Sequence, residues 1–469
     1  MKLPPKPPTW TEIVAKLPQD VRDLVFDDVS RASSQDRYLH WEDQRYRPTP
    51  EGHTPESWWA TLKIGRLAKW RPIPLHDPNG RPFQLGIPDA VAERLHVIDR
   101  GLGLALDLPT AVTAPASRDQ YVISALVQES ITSSQLEGAV TTRQVAKELL
   151  RTGRPPRDNS ERMILNNYAT MQRIRSLRTG PLTPDTVMEL HALVTAGTLD
   201  KSDAAGRFRR SDENVRVEDM EGTVFHEPPP AAELADRMQA MCAFANASTP
   251  DYFIHPVVRA IVLHFWLAYD HPFVDGNGRT ARALFYWSML HAGYTLFEFI
   301  SISQILLRAP MRYARAFLHT ESDGNDLTYF ILHQTEVIEE AVQALHDYVT
   351  RKTAELHTAE QCLRGLQGLN HRQQALLSHA LQHAGARYLI AGHQRSHGVS
   401  FQTARNDLFD LVERGLLITK KEGRFNAFYT PGDLGTKLSH LATSASDVPP
   451  PAEADPTLPL NFTLRTRHD

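Results

Sequence analysis

Apolar residues along this chain recur mainly at helical spacing. Ile123, Val127 and Ile131 fall four positions apart, which places them on one face of a helix. Two later stretches, 261–269 and 283–290, are apolar nearly all round, as in a helix that is buried on every side. The pattern predicts a mostly α-helical protein.

The periodicity changes to strand-like alternation in one short region. Residues 214–217 and 222–227 alternate between apolar and polar positions, and three prolines follow them. A turn at Asp219–Gly222 would join the two runs into a hairpin. We therefore expect a short β-hairpin within the helical core.

The C-terminal part has a different pattern. Two short strands on either side of the basic tip at residues 420–424 follow a helix-turn-helix pattern, and together they would make a wing. After residue 433 the chain is rich in proline and small polar residues, so we predict disorder. The three helices are predicted at residues 371–384, 390–397 and 401–414.

These changes of pattern divide the chain into five regions. They are an N-terminal extension that is partly helical, a helical core, a helical connector, a winged helix-turn-helix and a disordered tail. Their predicted bounds are residues 1–82, 83–300, 301–368, 369–432 and 433–469.

Composition is that of an ordinary soluble globular protein. A net charge of -4 over 469 residues gives no global reason to expect nucleic acid. No apolar stretch reaches membrane-spanning length, and the first residues lack the apolar core of a signal peptide. We expect a cytoplasmic protein without membrane contact. Cys242 and Cys362 match no metal or redox spacing, which favours small buried hydrophobes.

The loop between the two apolar runs, His271–Arg282, concentrates polar chemistry; we call it the signature loop. Gly276 and Gly278 permit positive φ, and Asn277 tolerates the left-handed region. Such a turn can direct backbone N–H groups inward as a nest for an anion. A helix that begins there adds its positive end to the same place.

The other side chains of the signature loop fit phosphate chemistry. Arg279 and Arg282 share the first turn of a helix, where both can reach a polyphosphate. Asp275 offers a hard oxygen ligand to a Mg²⁺ that also binds substrate phosphates. His271 can take a proton near neutral pH and so act as a general base for a hydroxyl.

The signature loop resembles the motif His-Pro-Phe-x-(Asp/Glu)-Gly-Asn-Gly-Arg-x-x-Arg of the Fic family at every fixed position. The resemblance implies transfer of AMP from ATP to a Ser, Thr or Tyr hydroxyl of a protein, including this protein itself. His271 would then be the catalytic base and Asp275 the Mg²⁺ ligand. The residues implied to bind the ATP phosphates are Gly276, Asn277, Gly278, Arg279 and Arg282.

A second motif precedes the signature loop. The helix predicted at residues 121–136 ends in a segment that resembles the inhibitory motif (Ser/Thr)-x-x-x-Glu-(Gly/Asn) of autoregulated Fic proteins, with Ser133, Glu137 and Gly138 at its fixed positions. By that resemblance, Glu137 pairs with Arg282 and blocks the productive pose of ATP. A surface glutamate at a helix end is the alternative.

Two other regions also resemble parts of Fic proteins. The predicted hairpin is similar to the flap that holds the target segment by strand addition. The C-terminal module is similar to a winged helix, which binds DNA or docks proteins. Four polar residues stand where a recognition helix begins, and three acidic residues that follow dilute its charge. They are Gln402, Thr403, Arg405 and Asn406, then Asp407, Asp410 and Glu413.

We therefore expect an autoinhibited, Mg²⁺-dependent protein adenylyltransferase. Within enzymes, removal of AMP or transfer of another phosphate-linked group by the same site stays open. Two further alternatives are a DNA-binding regulator whose core senses nucleotide, and an interaction scaffold with a silent site. The target, the donor nucleotide and whether the protein forms oligomers also stay open.

Overall fold

The computed structural model describes residues 2–103, 115–218, 221–366, 368–383, 386–422 and 425–446. Most of these residues lie in α-helices, which confirms the predicted fold class. The described chain divides into two compact units, residues 2–103 with 119–348, and residues 115–118 with 349–446. The boundaries predicted at residues 82 and 300 both fall inside the first unit.

The N-terminal part of the first unit packs around tryptophans. Trp59 is fully buried, and its ring lies 5.7 Å from that of Trp41. A hairpin follows that we did not predict, because Pro72 and Pro74 interrupt its first strand and proline lacks the donor that a strand uses. The elements are α1 (Trp10–Lys16), α2 (Gln19–Asp27), α3 (Val29–Gln35), α4 (Trp41–Gln44), α5 (Pro55–Leu67), β1 (Arg71–His76) and β2 (Pro82–Leu85).

The middle of the first unit contains five helices and the predicted hairpin. Pairing of Val217 with His226 and of Glu218 with Val224 confirms that hairpin. Asp219 and Met220 of its predicted turn lie outside the described residues. The elements are α6 (Asp89–Gly103), α7 (Pro115–Leu136), α8 (Arg143–Thr152), α9 (Asn159–Leu177), α10 (Pro184–Val194), β3 (Val217–Glu218) and β4 (Val224–His226).

Two buried helices, α12 and α13, form the centre of the first unit. The bulky side chains of Trp266 on α12 and Trp287 on α13 are almost completely buried. The signature loop joins these helices, so its position is fixed at both ends. The remaining helices here are α11 (Leu234–Ala245), α12 (Pro256–Asp270), α13 (Asn277–His291), α14 (Ile302–Leu306), α15 (Pro310–Ser322) and α16 (Thr328–Gly365).

The second unit contains the predicted helices and wing strands, together with a third strand, β5, that we did not predict. The sheet is antiparallel in the order β5-β7-β6. Leu377, Leu408 and Phe428 are completely buried in its core. The elements are α17 (His371–Gln382), β5 (Arg387–Leu389), α18 (Ile390–His397), α19 (Phe401–Glu413), β6 (Ile418–Glu422), β7 (Phe425–Tyr429) and α20 (Leu434–Ser446).

Helix α20 corrects one prediction. The tail predicted to be disordered from residue 433 begins with this helix, because Leu434 and Leu438 are buried in the core of the second unit. Residues 447–469 lie outside the described part of the chain. Composition did not indicate α20, because its exposed positions carry small polar residues that are typical of loops.

Two expectations about the rest of the chain can be compared with the structure. Within the described residues, no helix combines the length and apolar character needed to cross a membrane. Cys242 is buried, and burial raises the pKa of its thiol to about 12. Because a thiol with so high a pKa forms little thiolate at neutral pH, Cys242 is a packing residue, as predicted.

Candidate active site

His271 is held in a defined conformation and protonation state. It ends α12 in the left-handed region, with φ +45° and ψ 55°. Its Nδ1 lies 3.2 Å from the carbonyl oxygen of Ala268, so an Nδ1–H donor leaves the lone pair on Nε2. Burial lowers the pKa of His271 to about 4. The imidazole is therefore neutral at pH 7, with Nε2 available to accept a proton.

Gly276 and Gly278, at the start of α13, lie close against neighbouring side chains. Gly276 has a φ of +82°, and a Cβ there would lie 2.5 Å from the methyl carbon of Thr195. A Cβ on Gly278 would lie 2.2 Å from Oε1 of Glu137. The carboxylate of Glu137 therefore rests against the first turn of α13, where the positive end of the helix favours an anion.

Asp275 has the properties of a ligand for a hydrated cation. Its side chain is 54% exposed. One carboxylate oxygen accepts a hydrogen bond from Gly276 N at 2.6 Å, and the other lies 3.2 Å from Nη2 of Arg279. These contacts fix the carboxylate and leave lone pairs facing solvent, so the residue fits Mg²⁺.

Two of the predicted phosphate-binding residues also maintain the loop. The amide of Asn277 accepts from Phe273 N at 3.0 Å and donates to Phe273 O at 2.8 Å. Arg279, which is 1% exposed, donates to Val194 O at 3.1 Å. Among the described residues, Nε of Arg279 has no hydrogen-bond partner. The side chain of Asn277 is thus occupied, whereas Arg279 keeps one donor.

Arg282 lies buried against the end of α7. Its Nη2 donates to Oε1 of Glu137 and to the carbonyl of Ser133, both at 2.9 Å, and its Nε donates to the Ser133 hydroxyl at 2.9 Å. Burial alone would lower the pKa of Arg282, but Glu137, together with Tyr313 and Glu129, outweighs it, so the pKa is raised. Gly138 follows with a φ of +89°. The structure thus joins Glu137, Ser133 and Arg282.

Comparisons with known proteins agree with this geometry. Residues 181–289 match the model of the Fic/DOC family. Residues 181–289 are therefore similar to a Fic domain. The chain is 34% identical over 113 residues to a protein adenylyltransferase Fic of Nematostella vectensis, covering 24% of each chain. It is also 38% identical over 108 residues to one of Drosophila virilis, covering 23% of this chain and 20% of that one. The chain thus spans about a quarter of the length of these curated relatives or less.

A crystal structure of a Fic family protein from Desulfovibrio desulfuricans is also similar. It aligns with a TM-score of 0.49 and 18% identity, and covers 73% of this chain and 96% of that chain. The match of residues 181–289 contains the whole signature loop, whereas Ser133, Glu137 and Gly138 precede it.

His191, on α10 within the matched residues, supports the signature loop and was not predicted. It is completely buried, its ring stacks on Phe273 at 3.7 Å, and its Nε2 lies 2.9 Å from the carbonyl oxygen of Asp275. Its Nδ1 accepts from Gly206 N at 3.0 Å. Burial lowers the pKa of His191 to about 4, so it is neutral. Nothing in the sequence links it to a loop 84 positions away.

Glu129 on α7 forms a second contact with α13, in addition to that between Ser133 and Arg282. It is 1% exposed and accepts hydrogen bonds from the hydroxyl of Tyr286 at 2.9 Å and that of Ser301 at 2.8 Å. The backbone N–H of Ser303, at 3.1 Å, and its hydroxyl also donate to Glu129. Because Glu129 and Ser133 are four apart on α7, and Arg282 and Tyr286 four apart on α13, the two contacts fix one register between the helices.

Replacing Glu129 by alanine is expected to destabilise the first unit by about 3 kcal/mol, because it leaves buried hydroxyl groups without their acceptor. Glu129→Gln keeps one acceptor oxygen and should cost about half as much. Denaturant unfolding followed by tryptophan fluorescence measures the change. Glu148→Ala, on α8, is the control outside this network. Equal stability of Glu129→Ala and Glu148→Ala would contradict the assignment.

Proposed function

We propose that this protein transfers AMP from ATP to a hydroxyl group of a protein in a Mg²⁺-dependent reaction, and that Glu137 restrains the reaction. The observation that carries the proposal is a neutral His271 beside the anion-binding start of α13, in a loop with every fixed residue of the Fic motif. The names of the curated relatives support the same activity.

The reaction needs a proton acceptor and a bound polyphosphate. Nε2 of His271 takes the proton from the target hydroxyl while its oxygen bonds to the α-phosphorus of ATP. The bond from that phosphorus to the bridging oxygen breaks, and pyrophosphate leaves. Asp275 would hold Mg²⁺, which offsets the charge of the phosphates. The backbone of Gly276–Gly278 and the arginines Arg279 and Arg282 would orient the phosphates.

Glu137 would inhibit the reaction because its carboxylate occupies groups that bind the ATP phosphates. Its carboxylate takes a donor of Arg282 and lies against Gly278, both of which the polyphosphate needs. A carboxylate and a phosphate cannot share that site, because they carry the same charge. ATP would bind with its α-phosphate out of line with His271. Ser133 adds two contacts that keep Arg282 turned toward α7.

The hairpin β3–β4 is the surface on which the target hydroxyl would be presented. Its residues Val217 and Val224 remain about one third exposed, at 37% and 36%. A two-stranded ribbon of this kind can accept an added strand through backbone hydrogen bonds, which do not depend on the added sequence. The target would therefore be chosen by shape and by local charge around the strand.

Intact-mass measurement tests the activity. The purified protein is incubated with Mg²⁺ and each of ATP, UTP, GTP and CTP, in wild type and in Glu137→Gly. A gain of one AMP with ATP alone supports the proposal. A gain of phosphate or of another nucleotide would replace it by a different transfer, and loss of AMP from a labelled protein would identify removal. No gain in either form, with nucleotide bound, would favour a silent site.

A second candidate function is DNA binding by the second unit. It is favoured by the pairing of two acidic residues of α19 with other residues of the same unit. Asp407 is 6% exposed and accepts from Arg372 at 2.7 Å and from Asn370 at 2.7 Å. Asp410 accepts from Arg414 at 3.0 Å. These carboxylates are therefore paired within the unit. The polar residues that remain on the exposed start of α19 are Gln402, Arg405 and Asn406.

If the second unit binds DNA through the start of α19 and through β6, the double variant Lys420→Gln, Lys421→Gln on β6 should weaken binding. It should also reduce the slope of log affinity against log salt by about 2, because each phosphate contact releases counterions. Fluorescence anisotropy of a labelled duplex at several salt concentrations measures both. Lys437→Gln, on α20, is the matched control. Absence of any affinity of the wild-type chain at low salt would exclude this function.

A further inference from the structure

The chain around His271 is held from outside by Arg209, which precedes the hairpin, and by His226, which ends it. The last carbonyl groups of a helix lack partners within it, and α12 ends just before His271. His226 Nε2 lies 2.6 Å from the carbonyl oxygen of Tyr269. Nε of Arg209 donates to the carbonyl of His271, and N of Arg209 to that of Pro272, both at 2.9 Å. Three carbonyl groups around the proposed base are thus satisfied.

Both of these side chains come from the segment that contains the hairpin. His226 is the last residue of β4, and Arg209 precedes β3 and also donates to the carbonyl of Pro229 after it. Each is less than one tenth exposed, at 9% and 8%. A shift of either contact would therefore move the base of the hairpin relative to His271.

The surroundings of His226 require it to be a cation. Its Nε2 faces a carbonyl oxygen, which accepts only, and its Nδ1 lies 2.8 Å from Oε2 of Glu321 on α15. An ionised carboxylate also accepts only, so both ring nitrogens must carry hydrogen. Burial lowers the pKa of His226, but the Glu321 carboxylate, the Tyr269 carbonyl and Asp270 together outweigh it, so the pKa is raised. A cation at the negative end of α12 is also favourable.

The other charged groups around His226 are accounted for by their own partners. Asp270 on α12 accepts from Arg237 at 2.8 Å and from Trp266 Nε1 at 3.0 Å. His271 is neutral at pH 7, and the guanidinium of Arg209 donates hydrogen bonds to the carbonyl groups of His271 and Pro229. Glu321 therefore makes the largest contribution that favours the charged form of His226. The titratable or charged groups that face it are Glu321, Tyr269, Asp270, Arg237, His271 and Arg209.

We propose that His226 is a positioning residue: the protonated pair of His226 with Glu321 is a latch that fixes the base of the hairpin to the end of α12. The inference rests on the proposed function, because the hairpin is where the target hydroxyl would be presented to His271. When the proton leaves, one of the two hydrogen bonds is lost and the hairpin loosens. ATP binding is unaffected, since none of its proposed ligands touches the latch.

The sign of the pH dependence follows from the raised pKa. A histidine whose pKa is higher in the folded state contributes fully below its ordinary value of 6.5 and loses that contribution as the pH rises through the folded value. The hairpin should therefore be firmly held at pH 6 and loosen in alkaline solution. The same change should raise the KM for a protein target while leaving the affinity for ATP constant.

Hydrogen–deuterium exchange of the full chain between pH 6 and 9.5 tests the latch, with protection factors corrected for the intrinsic rate. Peptides that cover residues 222–227 should lose protection as the pH rises. At pH 7.5, Glu321→Gln should lower their protection about tenfold, because a charged hydrogen bond becomes a neutral one. Glu227→Gln, beside β4, removes only an exposed ion pair with Arg216, which contributes little, so this matched control should behave nearly as wild type.

His226→Gln gives a second, independent reading. A glutamine is neutral at every pH, so protection in the hairpin should be low throughout and lose its pH dependence. Wild-type protection that does not change with pH, or equal protection in Glu321→Gln and Glu227→Gln, would overturn the latch. Neither readout requires catalysis. If the protein transfers AMP but the protection of its hairpin does not change with pH, the latch alone is overturned. If the protection changes with pH as expected but no AMP is transferred, the proposed function alone is overturned.

Discussion

Replacing His271 by alanine is expected to lower the rate of AMP transfer by about a thousandfold, within the range that a positioned general base contributes. The target hydroxyl must lose its proton as it attacks, and His271 Nε2 is the acceptor that the structure leaves free. ATP affinity should stay within about twofold, because the base acts in the transition state and not in holding phosphates. Single-turnover transfer in a Glu137→Gly background, with ATP binding measured by calorimetry, checks both.

The control for this variant is His291→Ala. His291 is an exposed histidine at the end of α13, and the rate should not change on its removal. The acid limb of the wild-type rate should fall near pH 4 and not near 6.5, since burial lowers the pKa of His271 to about 4. Near-wild-type transfer by His271→Ala would remove His271 from its proposed role.

The sequence predicted those parts of the site that are local. The signature loop lies between two apolar runs, and its glycines, carboxylate and histidine are contiguous, so spacing alone indicated a loop with phosphate chemistry. The pair of Glu137 with Arg282 spans 145 positions and was predicted only through resemblance to a family motif. The hairpin β3–β4 was visible because its residues alternate.

The supporting residues could not be predicted, for a physical reason. Glu129, His191, Arg209 and His226 each act through a contact that exists only after helices distant in sequence have packed. His191 has the ordinary appearance of a residue on an amphipathic helix, and only its ring stacking on Phe273 shows what it does. The buried carboxylate of Glu129 resembles a surface residue in any one-dimensional pattern. Tertiary packing, and not periodicity, defines these roles.

Replacing Glu137 by glycine is expected to raise the rate of AMP transfer tenfold or more. The carboxylate lies 2.9 Å from Nη2 of Arg282 and rests against Gly278, so it occupies a donor and the anion site that the polyphosphate of ATP needs. With the carboxylate gone, Arg282 can orient the phosphates so that the α-phosphorus is in line with the attacking hydroxyl. A misplacement of about 1 Å between reacting atoms can cost about a hundredfold in rate.

The substitution should leave the fold intact. Glu137 follows the last residue of α7, and its side chain is 26% exposed, so a glycine there frays one helix end only. Without ATP, Arg282 keeps its two contacts with Ser133, and Glu129 still holds the helices in register. Thermal unfolding should therefore change by no more than about 2 °C, equivalent to about 1 kcal/mol in a unit of this size.

Three further variants distinguish inhibition from a merely structural effect: Glu137→Gln, Arg282→Ala and the double variant Glu137→Gly, Arg282→Ala. Glu137→Gln keeps the size and one acceptor oxygen but removes the charge, so its rate should fall between those of wild type and Glu137→Gly, because a neutral amide competes less well for the guanidinium. Arg282→Ala should transfer slowly with or without Glu137, since the reaction also needs this arginine. If Glu137→Gly leaves the rate unchanged in a folded protein while Arg282→Ala abolishes it, the pair is structural. Ser133–Gly138 would then be only the end of a core helix.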